Sequence, residues 1–305
     1  MIDKIRERVR PRYRKSACRA IAIVAAIVAT SCESQRTEPS SFRVPRSPSP
    51  VAASSLAPPV ASSAVALAIP RPLEGPAAMV DLDVPGHPAA VVSLPLGATS
   101  RRPIVVATHG NYDRPEWQCG VWRDIIGDHA FVLCPRGIAR PDSPGPDDVR
   151  FTYENNVALE KELDAGLEAL AKAYPDHVDR GPIVYTGFSL GAIQGVTMAG
   201  RKPLRARRMV LVEGGHASWK PDVVKAFSAG PESARVLFVC SQPHCEKDAQ
   251  WAASRLRDAK VDTKIVKVKN VGHRYDGPVA DATREALAWV LAGDARFGAF
   301  ARMKR

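Results

Sequence analysis

The sequence contains no uninterrupted apolar run of about 20 residues, which is the length that a membrane-spanning helix requires. The apolar run near its start, residues 20–30 (AIAIVAAIVAT), has eleven residues. The sequence also has no glycine-rich phosphate loop and no dinucleotide fingerprint, so we predict no bound nucleotide and no redox cofactor. His244 and Cys245 have no second ligand pair at zinc spacing, and no metal is predicted. With 45% hydrophobic and 25% charged residues, the composition excludes a wholly disordered chain.

The positive charge of the chain lacks the distribution expected of a nucleic-acid-binding protein. The net charge is +11, but residues 1–19 hold eight Lys or Arg against two Asp or Glu and so carry six of these charges. A nucleic-acid-binding domain concentrates its basic residues on one folded face. Because the charge is concentrated in a leader segment instead, we predict no nucleic-acid partner.

The first 31 residues have the pattern of an export signal. A basic segment, residues 4–19, precedes the apolar run, and Ala29-Thr30-Ser31-Cys32 resembles the lipobox of bacterial lipoproteins. We therefore predict a signal peptide over residues 1–31, a lipid on Cys32 that anchors the protein to a membrane, and a location in the bacterial cell envelope. Two alternatives remain open: cleavage without lipidation, which gives a soluble periplasmic or secreted protein, and an uncleaved anchor.

Residues 32–76 are rich in Ser, Pro and Ala. Such a segment cannot bury enough apolar surface to offset the entropy of ordering, so we predict a disordered, semi-extended tether. The remainder, residues 77–305, is long enough to form one sizeable hydrophobic core.

Short apolar runs alternate with amphipathic stretches inside residues 77–305. Most of the runs are unbroken, which is typical of strands buried on both faces of a parallel sheet. Lysines in the last run indicate a position near the edge of the sheet. The strand-like runs are residues 89–94, 104–108, 131–134, 183–186, 209–212, 236–240 and 265–268.

Three amphipathic stretches, residues 154–174, 246–259 and 278–292, predict helices between or after these strands. Alternating strands and helices indicate a layered α/β domain. Residues 79–84 and 89–94 have no helix between them, so we predict that they open the domain as an antiparallel hairpin.

A glycine-flanked serine follows one strand-like run. Gly187-Phe188-Ser189-Leu190-Gly191 has the form G-x-S-x-G, and it lies between the run at 183–186 and a plausible helix. In that context the chain must reverse sharply, and side chains at either glycine position would collide with neighbouring backbone. The turn would present the Ser189 hydroxyl above the sheet edge, at the positively polarised N-terminus of the next helix.

With this motif in this context, residues 79–292 resemble the α/β-hydrolase family. The resemblance implies a three-layer sandwich with a mostly parallel central sheet of about eight strands and an antiparallel N-terminal hairpin. It also implies that His109-Gly110, after the run at 104–108, leads into a loop that supplies one oxyanion-hole N–H. The implied donors are Asn111 (or Tyr112) and Leu190, which would stabilise one developing oxyanion together. We expect His109 itself to be structural.

The resemblance further places the catalytic base at His273, in Val271-Gly272-His273 after the last strand run. Ser189 needs such a base because a hydroxyl is a poor nucleophile at neutral pH. The acid is left open. Glu246 and Asp248 follow the run at 236–240, whereas Glu213 ends the run at 209–212, and none of the three need be the acid.

Six cysteines divide between the leader and the domain. Cys119, Cys134, Cys240 and Cys245 lie in the domain, where an exported protein would form two disulfides in one of three pairings, unless all four are buried thiols. The family's sheet order would separate the strands that carry Cys134 and Cys240 by about four strand spacings, or roughly 19 Å. The resemblance therefore implies the pairs Cys119–Cys134 and Cys240–Cys245.

These features predict an exported serine hydrolase that cleaves a small-molecule acyl ester, thioester or amide through an acyl-enzyme. A serine peptidase of the same fold is one alternative. A surface-tethered binding protein on a hydrolase scaffold, with weak or no catalysis, is another. The stretch between Arg136 and Phe151, rich in Pro and Asp, is predicted to cover the pocket.

Overall fold

The computed structural model describes residues 71–203, 205–230, 233–298 and 300, all within one unit, Ala64–Arg305. The predicted signal peptide, the predicted lipid on Cys32 and most of the predicted tether lie outside the described residues. Leu73 is already buried, and its N–H donates to Ala98 O. Packing therefore begins before residue 77, where the domain was predicted to start. None of the described helices is long and apolar enough to cross a bilayer.

The described part of the chain contains ten strands. They are β1 (Met79–Leu82), β2 (Ala90–Ser93), β3 (Ile104–Thr108), β4 (Phe131–Cys134), β5 (Ile138–Ala139), β6 (Phe151–Thr152), β7 (Val184–Phe188), β8 (Arg208–Val212), β9 (Arg235–Cys240) and β10 (Asp262–Lys267). Eight of them form the central sheet, in the order β1-β2-β4-β3-β7-β8-β9-β10. The strands β1 and β2 are antiparallel, as the missing intervening helix predicted, and β3, β4 and β7 to β10 are parallel.

Six helices cover the sheet within the described residues. They are α1 (Pro115–Ile126), α2 (Asn156–Ala173), α3 (Leu190–Arg201), α4 (Pro221–Ser228), α5 (Pro243–Asp258) and α6 (Pro278–Leu291). Asn155 caps α2 by accepting from the N–H groups of Val157 and Ala158, which explains why that helix begins at Asn156. Pro243 stands in the first turn of α5, where a missing N–H costs nothing, so α5 begins three residues before its predicted start.

Apolar side chains form a separate core on each face of the sheet. Residues of α1 and α6, including Trp122 and Leu287, pack on one face. Residues of α2 to α5, including Leu163 and Phe227, pack on the other. The strands β2, β3, β4 and β7 are buried at every position, as their unbroken apolar runs predicted. This is the predicted three-layer sandwich.

The last strand, β10, lies at an edge of the sheet, where its sequence predicted it. β10 pairs with β9 alone in this sheet, and its residues alternate between exposed and half-buried positions over most of its length, as its lysines indicated.

The stretch predicted to cover the pocket includes β5 and leads into β6, and these two strands pair antiparallel in a small second sheet. The sequence did not predict these two strands or the short helix α4.

Both disulfide pairings that the resemblance implied are present. Cys119 of α1 joins Cys134 at the end of β4, with their Cα atoms 5.8 Å apart. Cys240 at the end of β9 joins Cys245 in the first turn of α5, with a Cα separation of 5.5 Å. Between Cys134 and Cys240 lie the strands β3, β7 and β8, which accounts for the absence of cross-pairing among these four described cysteines.

Candidate active site

The predicted nucleophile lies on a tight turn between β7 and α3. Ser189 has φ 50° and ψ −112°, an unfavourable conformation for a residue with a side chain. A Cβ atom at Gly187 would lie 2.6 Å from Ala192 N, and one at Gly191 would lie 2.6 Å from Thr108 O. Neither position can therefore hold a side chain, and these two glycines are what let the backbone present the serine.

Hydrogen bonds from three neighbouring segments hold this turn. Ser189 N–H donates to Val212 O at 2.9 Å, and Gly191 N–H donates to His109 O at 3.2 Å. Below the turn, the Tyr185 hydroxyl donates to Gly191 O at 2.7 Å and lies 2.8 Å from Thr108 Oγ1. Burial raises the pKa of Tyr185, so its hydroxyl stays protonated and remains a donor. The turn is thus fixed by the backbone and by buried groups.

The loop after β3 lies against the nucleophile turn. A Cβ atom at Gly110 would come within 2.8 Å of the Phe188 ring and 3.5 Å of Ser189 Cβ, so the loop backbone is close to the serine. Asp113 shapes the loop by accepting from Gly110 N–H at 3.2 Å and Arg114 N–H at 2.8 Å. Among the described residues, the N–H groups of Asn111 and Leu190 donate no hydrogen bond. The same holds for the N–H of Tyr112, the alternative to Asn111, so all three predicted oxyanion donors lack an acceptor among the described residues.

His109 has the structural surroundings that its sequence position predicted. Its side chain is fully buried, with Nδ1 2.7 Å from Gly110 O and Nε2 3.0 Å from Arg136 O. The ring stacks on Tyr153 with centroids 4.4 Å apart. A backbone carbonyl oxygen lies beside each ring nitrogen, so the buried ring packs between the loop after β3 (residues 109–114, here called the oxyanion loop for its predicted role) and the segment after β4.

Of the three candidate acids, Glu213 is the one that lies beside His273. It follows the last residue of β8, its side chain is 0% exposed, and its Oε2 is 3.4 Å from His273 Nδ1. Its other oxygen, Oε1, accepts from Ser241 N–H, from the Ser241 hydroxyl at 2.8 Å and from Gln242 N–H at 3.2 Å. Burial raises the pKa of Glu213, but the polar contacts with His273, Ser241 and Gln242 outweigh it and lower the pKa below its usual value.

The other two carboxylates have different partners. Glu246 forms an ion pair with Lys267 at the edge of the sheet. Asp248 lies 3.7 Å from Nδ1 of His216. Within the part of the chain that the structure describes, neither carboxylate contacts His273, so the structure brings neither of them to the candidate base. Both belong to the helix α5, whose first turns favour negative charge.

His273 lies on the loop between β10 and α6, here called the base loop (residues 268–277). Its side chain is 44% exposed, its Nδ1 is 3.1 Å from Gln242 Oε1, and its ring is 4.8 Å from the Phe188 ring. No hydrogen bond between described residues joins Ser189 Oγ to His273. The structure therefore contains the contact between the candidate acid, Glu213, and the candidate base, His273, and it places His273 against Phe188, the residue before Ser189.

A second contact, which no sequence pattern predicted, ties the base loop to the oxyanion loop. The Tyr275 hydroxyl donates to Asp113 Oδ1 at 3.2 Å, and the Tyr275 ring lies 4.7 Å from that of Phe188. Burial and the neighbouring Asp113 carboxylate raise the pKa of Tyr275, so it stays a donor. Ser241 and Gln242 were also missed, because neither carries the charge by which a triad acid is recognised in a sequence.

Several residues with strained backbone lie at the carboxyl end of the parallel strands, around Ser189. Five non-glycine residues of the described chain have positive φ, and three of them are Tyr112 of the oxyanion loop, Ser189 and Glu213, with φ of 61°, 50° and 51°. Strained backbone of this kind persists where the surrounding structure fixes it, and it is common at functional sites.

The sheet order, the opening hairpin and the strand–serine–helix turn after β7 define the α/β-hydrolase fold, and the chain has this fold. No model of a known protein family matches the chain, and no curated protein matches it.

Solved structures that resemble the chain are distant. A carboxylesterase from Bacillus cereus is 18% identical, covers 64% of this chain and 91% of its own, and has a TM-score of 0.45. Esterase PE8 is 18% identical over 70% of this chain and 100% of its own, with a TM-score of 0.48. Acyl-protein thioesterase 2 from Zea mays is 14% identical over 67% and 99%, with a TM-score of 0.46. Likeness at this level says nothing about the reaction, which must be argued from the site.

Proposed function

We propose that the protein is a serine hydrolase that cleaves small acyl esters, with thioesters and amides as chemically related substrates. The observation that carries the proposal is the buried Glu213 carboxylate facing Nδ1 of His273, at the same sheet edge as the glycine-flanked Ser189. A carboxylate in this position fixes the imidazole tautomer and stabilises the imidazolium that forms during proton transfer.

The reaction proceeds in two halves. His273 Nε2 takes the proton of Ser189 Oγ as the oxygen attacks the acyl carbonyl, and the free N–H groups of Asn111 and Leu190 stabilise the tetrahedral oxyanion. The imidazolium then protonates the leaving group, and an acyl-enzyme remains on Ser189. Water activated by the same imidazole releases the acid. The proposal requires a Ser189–His273 hydrogen bond in the substrate complex, since such bonds are often long or open in free enzymes.

The segment between β4 and α2 supports a preference for small or accessible substrates. The strands β5 and β6 hold it in a compact hairpin, and the Tyr112 hydroxyl donates to Asp142 O, which ties the hairpin to the oxyanion loop. A short, tied segment covers less of the site than a long insertion would. A panel of acyl esters, thioesters and peptides of increasing size distinguishes an esterase from a peptidase of the same fold.

Fluorophosphonate labelling of the purified protein tests the proposal. The wild-type protein is expected to be labelled and to hydrolyse short-chain esters, and Ser189→Ala is expected to lose both properties. Ser100→Ala, at an exposed serine in the loop before β3, serves as the matched control and should behave as wild type. Labelling that survives in Ser189→Ala contradicts the proposal.

One observation favours the alternative of a binding protein on a hydrolase scaffold. No hydrogen bond joins Ser189 Oγ to His273 among the described residues, so the contact through which His273 would activate Ser189 is not formed. If no ester, thioester or peptide is turned over although the protein binds acyl compounds, and Ser189→Ala binds them equally well, this alternative replaces the enzyme.

Export and lipid anchoring belong to the same proposal. We propose that residues 1–31 are removed and that Cys32 carries the lipid that tethers the domain to a membrane. The test is partition of the expressed protein in Triton X-114. Wild type and Cys18→Ser should enter the detergent phase, and Cys32→Ser should not. Wild type in the aqueous phase would indicate soluble export, and an N-terminal sequence starting at Met1 would indicate an uncleaved anchor.

A further inference from the structure

The segment Cys240–Cys245 is closed into a small ring by its own disulfide. Cys240 is the last residue of β9, and Cys245 lies in the first turn of α5, so both ends of the ring belong to regular elements. Both cysteines are 1% exposed. The two residues that follow Cys240, Ser241 and Gln242, are therefore held at the carboxyl end of the sheet by covalent closure and by two buried anchors.

The backbone of this ring holds the proposed acid. Both Ser241 N–H and Gln242 N–H donate to Glu213 Oε1, and the Ser241 hydroxyl lies 2.8 Å from the same atom. These donors fix the carboxylate by one oxygen. The other oxygen, Oε2, is buried, and the described residue that faces it is His273, whose Nδ1 lies 3.4 Å away.

The side chains of the ring reach the proposed base. Gln242 Oε1 is 3.1 Å from His273 Nδ1, closer than the Glu213 oxygen, and the Ser241 hydroxyl contacts Gly272 O, next to His273 in the chain. The Nδ1 proton thus faces two acceptors, one charged and one neutral. Since His273 is 44% exposed and lies on a loop, these polar contacts and the Phe188 ring are what restrict its orientation.

We propose that Gln242 is a positioning residue for His273, held in place by the Cys240–Cys245 ring, and this inference rests on the proposed function. The amide oxygen accepts the Nδ1 proton alongside Glu213 and so keeps Nε2 as the basic nitrogen. The same residue's N–H orients Glu213. One two-residue segment therefore sets the relative position of acid and base, which otherwise belong to loops 60 residues apart in the chain.

The side chain's neutrality matters to this role. A glutamine holds the imidazole by hydrogen bonding alone and leaves Glu213 as the charge that stabilises the imidazolium. A second carboxylate at position 242 would keep the acceptor but would also stabilise the imidazolium further. Replacing Gln242 by Glu and by Ala therefore separates the hydrogen-bonding role from packing.

The first experiment measures kcat and KM for a short-chain ester, and kcat/KM against pH, in Gln242→Ala and Gln242→Glu. Gln250→Ala, at an exposed glutamine two turns further on in α5, is the matched control. Gln242→Ala should lower kcat about tenfold, the effect of losing one orienting hydrogen bond, with KM within about twofold. Gln242→Glu should recover most of kcat and move the acidic limb of the profile to higher pH.

Several results of this experiment would overturn the inference. One is a Gln242→Ala variant with kcat within twofold of Gln250→Ala, and another is a Gln242→Glu variant whose acidic limb does not move. If KM rises while kcat is unchanged, the side chain contacts substrate and does not position the base, which also overturns it.

The second experiment does not depend on turnover. Nitrogen-15 spectra of histidine-labelled protein report the hydrogen bonding of each imidazole, with His273→Ala to assign the signal. Gln242→Ala and the double variant Cys240→Ala/Cys245→Ala should both move the His273 Nδ1 signal, whereas Cys119→Ala/Cys134→Ala and Gln250→Ala should not. An unmoved signal overturns the inference. A wild-type protein without acyl turnover would refute the proposed function while this measurement still decides the role of Gln242.

Discussion

The nucleophile turn and the base loop meet at the same edge of the sheet, but they are held by different means. Backbone packing fixes the nucleophile turn: Gly187 and Gly191 lie against neighbouring main chain, and the Ser189 N–H is bonded to β8. The base loop, in contrast, depends on side chains. His273 is held at Gln242 and Glu213, and Tyr275 is held at Asp113.

This difference predicts how each part responds to substitution. Where backbone packs against backbone, there is no space for an added methyl group. A glycine-to-alanine substitution in the nucleophile turn therefore affects folding and activity together. Where side chains hold a loop, a single hydrogen bond can be removed while the core stays intact. Substitutions in the base loop should therefore lower the rate while the fold is retained.

The largest effect is expected for Gly191→Ala. Its Cβ would lie 2.6 Å from Thr108 O and 2.7 Å from His109 O, neither of which can move without displacing β3. We expect a loss of several kcal/mol of stability, as for severe overpacking, together with loss of activity. Thermal unfolding and fluorophosphonate labelling measure both.

Gly120→Ala is the matched control for that substitution. Gly120 lies inside α1, and a Cβ atom there would meet nothing within 4 Å, so alanine should be neutral or stabilising by about 0.5–1 kcal/mol. If Gly191→Ala unfolds no earlier than Gly120→Ala, the nucleophile turn is not fixed by backbone contact, and the contrast with the base loop fails.

The next largest effect is expected for Glu213→Gln. The amide keeps the shape of the side chain but cannot stabilise the imidazolium, so kcat should fall about 10³-fold or more while the fold is retained. Glu246→Gln, whose carboxylate pairs with Lys267, should keep kcat within about twofold. Steady-state ester hydrolysis measures both, and equal losses would reject Glu213 as the acid.

A smaller effect is expected for Tyr275→Phe. This change removes the hydrogen bond to Asp113 and leaves the ring against Phe188, so the base loop should loosen while its apolar contact remains. We expect kcat to fall about five- to tenfold and stability by about 1 kcal/mol, the usual net value of one hydrogen bond. Tyr174→Phe, whose hydroxyl makes no hydrogen bond to any described residue, should match wild type. A rate loss of the same size in Tyr174→Phe would show that the Asp113 contact is not responsible.

The smallest effect concerns acid stability. The pKa of Glu213 is lowered in the folded protein, so its ionisation stabilises the fold above the ordinary glutamate value of 4.5, and that contribution disappears as the pH falls through the lowered pKa. Urea unfolding of wild type between pH 7 and pH 3 should therefore lose more stability than that of Glu213→Gln. Parallel curves for the two proteins would contradict the hydrogen-bonding account of Glu213.

The contrast between the nucleophile turn and the base loop also explains which residues could be predicted from the sequence. Unbroken apolar runs predicted the buried strands, because a strand covered on both faces has no position that faces solvent. The nucleophile turn was predictable because its steric demands require glycines beside Ser189. Glu213, Glu246 and Asp248 could not be ranked, since the choice depends on burial and on which loop reaches His273. Gln242 and Tyr275 act through partners far away in the chain, and no local pattern marks them.

The three strained residues, Tyr112, Ser189 and Glu213, have a consequence for anyone who engineers this chain. Glycine adopts their backbone conformations without a steric penalty, and each such strain is worth about 1–3 kcal/mol. At Ser189, whose hydroxyl makes no hydrogen bond to any described residue, a screen that rewards survival on heating alone would favour glycine and would enrich robust but inert molecules. Selection for robustness must therefore include a read-out of chemistry in every round.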